Sequence, residues 1–183
     1  MVFIGVLYIK LAGWKVEGQF PDSKKMIIAV APHTSNWDFP LSVAMMFACR
    51  LRVSFMAKSG LFFWPFNKVM TWLGGVSVNR SKAHGVVGQM VDKFDSQEKM
   101  ILALAPEGTR KVVHKWRTGF LQIANRAKVP VVLVGLDFKR KRFLLQPERM
   151  ISDDLDAELR KALEYFSTVE GKYPELCDTS GNH

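Results

Sequence analysis

His33 and Asp38 are separated by four residues in Pro32-His33-Thr34-Ser35-Asn36-Trp37-Asp38, directly after the apolar run Met26–Ala31. A histidine beside a carboxylate can work as a general base. The carboxylate accepts a hydrogen bond from one ring nitrogen and leaves the other free to take a proton. Five steps along one helix, at about 100° each, would turn the two side chains roughly 140° apart. They can meet if His33 lies in the loop after a strand and Asp38 in the first turn of the next helix, where Ser35 and Asn36 are able to cap. On spacing alone the same residues also serve as ordinary turn and cap residues. A second island, Pro106-Glu107-Gly108-Thr109-Arg110, follows the apolar run Met100–Leu104. Proline ends the strand, Gly108 permits a tight turn, and Arg110 offers a planar donor fork that matches a phosphate. Glu107 can hold the loop or orient an arginine. Arg80, at the end of Gly75-Val76-Ser77-Val78-Asn79, is a third candidate for the same anion. A base beside an anion grip suits deprotonation of a hydroxyl on a phosphorylated substrate.

The elements that must position these residues alternate between strand and helix. Strands are expected at Trp14–Phe20, Met26–Ala31, Arg52–Ala57, Val76–Asn79, Met100–Leu104 and Val131–Leu136, with Arg142–Gln146 beside the last. Helices are expected at Asp38–Leu51, where Pro40 suits a first turn, and at His84–Ser96, where Val87, Met90, Val91 and Phe94 share a face. Further helices are expected at Thr118–Ala127 and Asp153–Phe166. Leu61–Leu73 reads as an aromatic-rich helix or helical hairpin interrupted by Pro65, suited to an acyl groove, to dipping into a bilayer or to plain core. This alternation implies an α/β fold, a single-domain mixed sheet flanked by helices over residues 1–183, with a loose tail at 171–183.

The chain has 183 residues and a formal net charge of +9, from 26 Lys plus Arg against 17 Asp plus Glu. That balance favours anionic partners: phosphate esters, anionic membrane surfaces or nucleic acid. Cys49 and Cys177 lack metal-type spacing and read as reduced thiols in a cytosolic setting. The apolar stretch Val2–Ile9 is far shorter than the roughly 18 to 20 residues of a membrane span. Residues 1–14 suit either an interfacial helix or a first helix packed on the core. In the interfacial case Phe3, Ile4, Leu7 and Leu11 form one stripe, with Lys10 and Lys15 near the headgroups. The basic run Phe138-Lys139-Arg140-Lys141-Arg142-Phe143 suits anionic headgroups or a solvated hairpin turn equally. No Gly-x-Ser-x-Gly elbow, Walker loop or Gly-x-Gly-x-x-Gly fingerprint is present, which argues against serine hydrolases and nucleotide enzymes. A non-enzymatic basic module for nucleic acid or membranes accounts for the charge, but not for the ordered islands.

Those islands resemble the four ordered blocks of the glycerolipid acyltransferase family, typified by bacterial 1-acylglycerol-3-phosphate acyltransferases. His33–Asp38 matches the first block, and Gly75–Arg80 resembles the second. Pro106–Arg110 matches the third, and the valine-proline strand Val129-Pro130-Val131-Val132-Leu133-Val134 resembles the fourth. The match runs over roughly residues 14 to 140. The resemblance implies the family's acyltransferase-like fold and transfer of a fatty acyl group from an acyl thioester to a free hydroxyl of a lysophospholipid. The default acceptor is 1-acylglycerol-3-phosphate; another lysolipid or an acceptor without phosphate are the alternatives. It implies that His33 and Asp38 are catalytic and that Arg80, Glu107, Gly108, Thr109 and Arg110 bind the acceptor and its phosphate. Lys58, Arg117 and Gly119 fall near further favoured positions. It calls for no metal and no bound cofactor, since the donor, acyl-CoA or acyl carrier protein, is a substrate. The expected location is peripheral, on the cytoplasmic side of a membrane, without a transmembrane span, and the expected partners do not include nucleic acid. Two departures stand out: Pro32 where the family often has Asn, and Ala105 where an aromatic often stands. Both bear on the acceptor more than on the chemistry.

Overall fold

The computed structural model describes residues 2–58, 60, 62–78, 85–114 and 116–179, without the side chains of Ala57, Lys58 and Val78. The apolar runs form a seven-stranded sheet. Its strands are β1 (Lys15–Glu17), β2 (Lys25–Ala31), β3 (Val53–Lys58), β4 (Gly75–Val78), β5 (Met100–Leu104), β6 (Val131–Asp137) and β7 (Arg142–Leu145). They lie in the order β1-β7-β6-β2-β5-β3-β4. Every pairing is parallel except β6 with β7, which the basic run joins as an antiparallel hairpin. Arg140 in that turn is ion-paired to Asp137 at 2.7 Å, and Lys139 to Glu170 at 2.8 Å.

Parallel strands need both faces covered, which is why β2 and β6 are apolar almost throughout. On one face Met26 and Ile28 of β2 pack with Val132 and Val134 of β6 against α1 (Val2–Leu11) and α2 (Asp38–Ala48). On the other, Ile27, Ala29 and Ala31 pack with Val131 and Leu133 against three helices: α4 (Gly85–Ser96), α5 (Gly119–Ala127) and α6 (Leu155–Ser167). The expected apolar face of α4 is found there, with Met90 and Phe94 fully buried. Asp154 caps α6 by accepting from the Ala157 N–H at 2.9 Å, and Asp156 and Glu158 lie in its first turn.

The aromatic segment resolves into a short helix, α3 (Phe66–Trp72), that begins only after Pro65. Its Trp72 ring lies 6.0 Å from Phe47 of α2. The first helix packs on α2 through Gly5, so closely that an added Cβ would stand 2.5 Å from the Ala44 carbonyl oxygen. Its other side stays in solvent, where Phe3 is 76% and Leu11 78% exposed. One face of this helix thus docks on the fold, as the second alternative expects, while Phe3, Ile4, Leu7 and Leu11 are exposed. Among the described residues no helix is long and apolar enough to cross a membrane.

The segment after Gly171, expected to be loose, is instead anchored through residue 179. A 3-10 turn at Pro174–Leu176 and long-range hydrogen bonds from Tyr173 and to Asp178 fix it against the rest of the chain. Local composition gives no hint of this, because the partners lie more than 60 residues away in sequence.

Candidate active site

In an open parallel sheet the loops that leave the carboxyl ends of the strands share one edge, and ligands bind in the crevice outside it. β2 and β5 are neighbours in register, with Ala29 opposite Leu104. The loops that follow them, carrying His33 and Pro106–Arg110, therefore emerge side by side. β3 and β4 end at the same edge, with Lys58 opposite Val78. The Lys58 backbone therefore ends at that edge; its side chain, and Arg80, lie outside the described residues.

Asp38 is the first residue of α2, and His33 lies in the loop before it. Helix and loop together solve the facing problem that a single helix cannot. The His33 Nδ1 is 2.9 Å from Asp38 Oδ2. The Ser35 backbone N–H donates to the same oxygen, also at 2.9 Å. Asp38 is 2% exposed, and its second oxygen, Oδ1, is buried with no hydrogen-bond partner among the described residues. A carboxylate can only accept, so the proton of the neutral imidazole sits on Nδ1 and the lone pair on Nε2. The His33 side chain is 29% exposed, so the ring is partly open to solvent.

Glu107 holds the loop, one of the two roles its place in the sequence left open. Its carboxylate is buried, and the His33 backbone N–H donates to both oxygens, at 3.0 and 2.9 Å. Burial pushes its pKa up from 4.5 to about 7, against the pull of the His33 amide and the His33 charge. Beyond Glu107 the turn opens to solvent. Gly108, at φ +68°, reverses the chain, and Gly108, Thr109 and Arg110 are all exposed. Arg117 joins them: its Cδ would be 3.9 Å from a Cβ on Gly108. The site thus gathers His33, Asp38 and Glu107 into one bonded unit, with two arginines on the adjoining turn.

Thr34, Gly171 and Tyr173 are structural neighbours of His33 that the motifs do not mark. Thr34 is buried, and its Oγ1 accepts from the Tyr173 N–H at 3.2 Å. The only sequence signal was Gly171 itself, a glycine that follows a helix yet lies too far from its end to cap it.

A protein-family model described as Acyltransferase matches residues 14–137 of this chain. The chain is 30% identical over 134 residues to the 1-acyl-sn-glycerol-3-phosphate acyltransferase of Escherichia coli (strain K12), covering 68% of this chain and 53% of that protein. It therefore spans about half the length of that curated relative. The crystal structure of the 1-acyl-sn-glycerophosphate (LPA) acyltransferase from Thermotoga maritima matches with a TM-score of 0.60 at 19% identity, over 93% of this chain and 80% of the other. That likeness is one of fold. The matched family region holds His33, Asp38 and the whole of Pro106–Arg110, and the chain belongs to the acyltransferase family.

Proposed function

We propose that this protein is an O-acyltransferase that moves a fatty acyl group from an acyl thioester to the free hydroxyl of a lysophospholipid, by default 1-acylglycerol-3-phosphate. The observation that carries the reading is the His33–Asp38 pair, 2.9 Å apart, on a loop that emerges beside the one carrying Arg110. In this mechanism His33 Nε2 takes the proton of the acceptor hydroxyl as its oxygen attacks the thioester carbonyl. Asp38 holds the imidazole and stabilises the imidazolium that forms. The tetrahedral intermediate collapses, the C–S bond breaks, and the imidazolium returns the proton to the leaving thiolate. Arg110 and Arg117 supply cations for a phosphate, and Arg80 and Lys58 are proposed to join them. No resident cofactor or metal takes part; the donor is acyl-CoA or acyl carrier protein.

The substrates suggest where the enzyme works. A two-chain product does not leave readily through water, and both α1 and α3 present free apolar side chains beside α2, with Trp64 80% exposed just before α3. The net charge of +9 adds attraction to anionic headgroups. Attachment is therefore peripheral, through apolar insertion and charge together.

The test incubates purified protein with a panel of lysolipids and radiolabelled acyl thioesters and identifies the product by mass. Phosphatidate formed from lysophosphatidate, and lost in His33→Ala, is the expected result. Near-normal turnover by folded His33→Ala removes the mechanism. Salt-sensitive retention on nucleic acid with no acyl transfer points to a basic binding module instead.

A further inference from the structure

The segment from Val169 to Asp178 lies beyond the matched family residues 14–137, and it runs across the loop that carries His33. At its start Val169 packs on Gly135, where an added Cβ would stand 2.8 Å from Val169 Cγ2. The Glu170 carbonyl then accepts from the Phe138 N–H at 2.9 Å, which anchors the segment at the carboxyl end of β6. Gly171 is buried against the two residues that flank His33. A Cβ there would be 3.0 Å from Pro32 Cβ and 3.0 Å from Thr34 Oγ1, tighter than ordinary van der Waals contact, so one side would have to give by a few tenths of an ångström. Lys172 places its Nζ 5.1 Å from the centre of the Trp37 ring, one residue before Asp38. Tyr173 donates its backbone N–H to Thr34 Oγ1 at 3.2 Å.

The far end is tied to the stretch that follows the Pro106–Arg110 turn. The Asp178 carbonyl accepts from Trp116 Nε1 at 2.8 Å, and its carboxylate is 2.8 Å from His114 Nδ1. Between these anchors Cys177 packs on the core and lies near enough to Glu107 that the carboxylate adds to the effect of burial in pushing the thiol up to about 12. The segment thus touches Pro32, Thr34 and Trp37 on one side and His114 and Trp116 on the other. His33 itself is held through its backbone by Glu107 and through its ring by Asp38, while the contacts of this segment fall on its neighbours Pro32, Thr34 and Trp37.

We propose that Val169–Asp178 is a positioning strap for the general base, with Thr34 and Gly171 as its contact residues. It sets the height of the His33 loop against the Pro106–Arg110 turn, so that Nε2 meets the acceptor hydroxyl while substrate binding depends on other groups. The proposal rests on His33 acting as the base, and it adds residues that no motif marks.

The test is a kinetic split in two variants and one rescue. Thr34→Val keeps the side-chain shape but removes the acceptor for the Tyr173 N–H, Thr34→Ser restores an acceptor, and Gly171→Val pushes the strap off the loop. Thr34→Val and Gly171→Val are expected to lower kcat on the order of tenfold to a hundredfold, the scale of a small misplacement of a reacting group. KM for both substrates should stay within about twofold, Thr34→Ser should recover most of kcat, and near-UV circular dichroism should remain native. If His33→Ala is inactive while folded Thr34→Val and Gly171→Val turn over at the wild-type rate, the strap is overturned and the base is not. If His33→Ala is itself active, the underlying mechanism fails instead. A loss confined to KM, or a Thr34→Val protein that loses its native spectrum along with its activity, also overturns the positioning role.

Discussion

Replacing Glu107 with glutamine tests whether the loop under the histidine is held by a carboxylate that the fold forces toward neutrality. Burial raises the Glu107 pKa from 4.5 to about 7 in the folded protein. Because the folded protein then binds the proton more tightly than the unfolded chain, the stability linked to this group is fully present below about pH 4.5 and is lost as pH rises through about 7. Each unit of pKa is worth about 1.4 kcal/mol, so the loss across that window is about 3 kcal/mol. Glu107 is 6% exposed, so solvent screening takes little from this figure. Asp137 and Glu158 have lowered pKa values and work in the opposite sense: their contribution is present above the ordinary carboxylate range and lost in more acid solution. They are common to both proteins and cancel when wild type is compared with Glu107→Gln. The glutamine oxygen can still accept the His33 N–H but does not titrate. Urea unfolding of both proteins at intervals from pH 4.5 to 8 gives the comparison. The stability of wild type relative to Glu107→Gln should fall by about 3 kcal/mol over the range. A difference that stays constant within about 0.5 kcal/mol would refute a strained, buried carboxylate at this position.

Asp38→Asn should cut kcat on the order of 10³-fold, because the amide holds the ring less well and cannot offset an imidazolium charge; initial rates within tenfold of wild type would count against the dyad. Gly5→Val should destabilise the protein by about 1 to 3 kcal/mol, the usual cost of overpacking, since its Cβ would stand 2.5 Å from the Ala44 carbonyl oxygen; an unchanged urea midpoint would show that α1 does not need this close approach. On anionic vesicles, high salt should release only part of the protein, while Phe3→Asp combined with Leu7→Asp should make release nearly complete, because charge attraction is screened and apolar insertion is not. Full-length protein that ignores anionic vesicles at low salt would sink the membrane reading.

Much of the sheet was legible because its strands are short apolar runs closed by proline, glycine or charge. β2 and β5 fall within a residue of their expected limits for that reason. β1 is shorter than expected, three residues against seven, because only Lys15–Glu17 find partners on β7. Pro65 was read correctly as an interruption but not as the residue before a helix, since the aromatics around it satisfy either pattern. In the site, the spacing of His33 and Asp38 carried their meeting, because a loop followed by a first helical turn is a local arrangement. The direction of the Glu107 carboxylate was not legible. Whether it faces the phosphate or the His33 amide depends on β2 and β5 being neighbours, a fact of topology. The Thr34–Tyr173 bond joins residues 139 apart in sequence and has no periodic signature at all.

The two carboxylates around His33 divide one task. Asp38 binds the ring at Nδ1 and so decides which nitrogen carries the proton and where the other one points. Glu107 binds the backbone amide of the same residue and so decides where the ring is hung. Either bond alone leaves a freedom that matters for the proposed proton transfer: drift of the whole loop if only Asp38 holds, rotation of the imidazole if only Glu107 holds. Their environments suit these tasks. Asp38 stands at the start of α2, where it also draws the Ser35 N–H and where the helix end favours negative charge. For Glu107 the His33 amide and the His33 charge do not offset burial, so its raised pKa is the consequence of reaching inward from a turn whose Gly108, Thr109 and Arg110 face solvent. The same reach leaves Arg110 and Arg117 without a carboxylate from that turn to neutralise them. A turn that spends its acid on the His33 loop keeps its cations for the phosphate of the proposed acceptor.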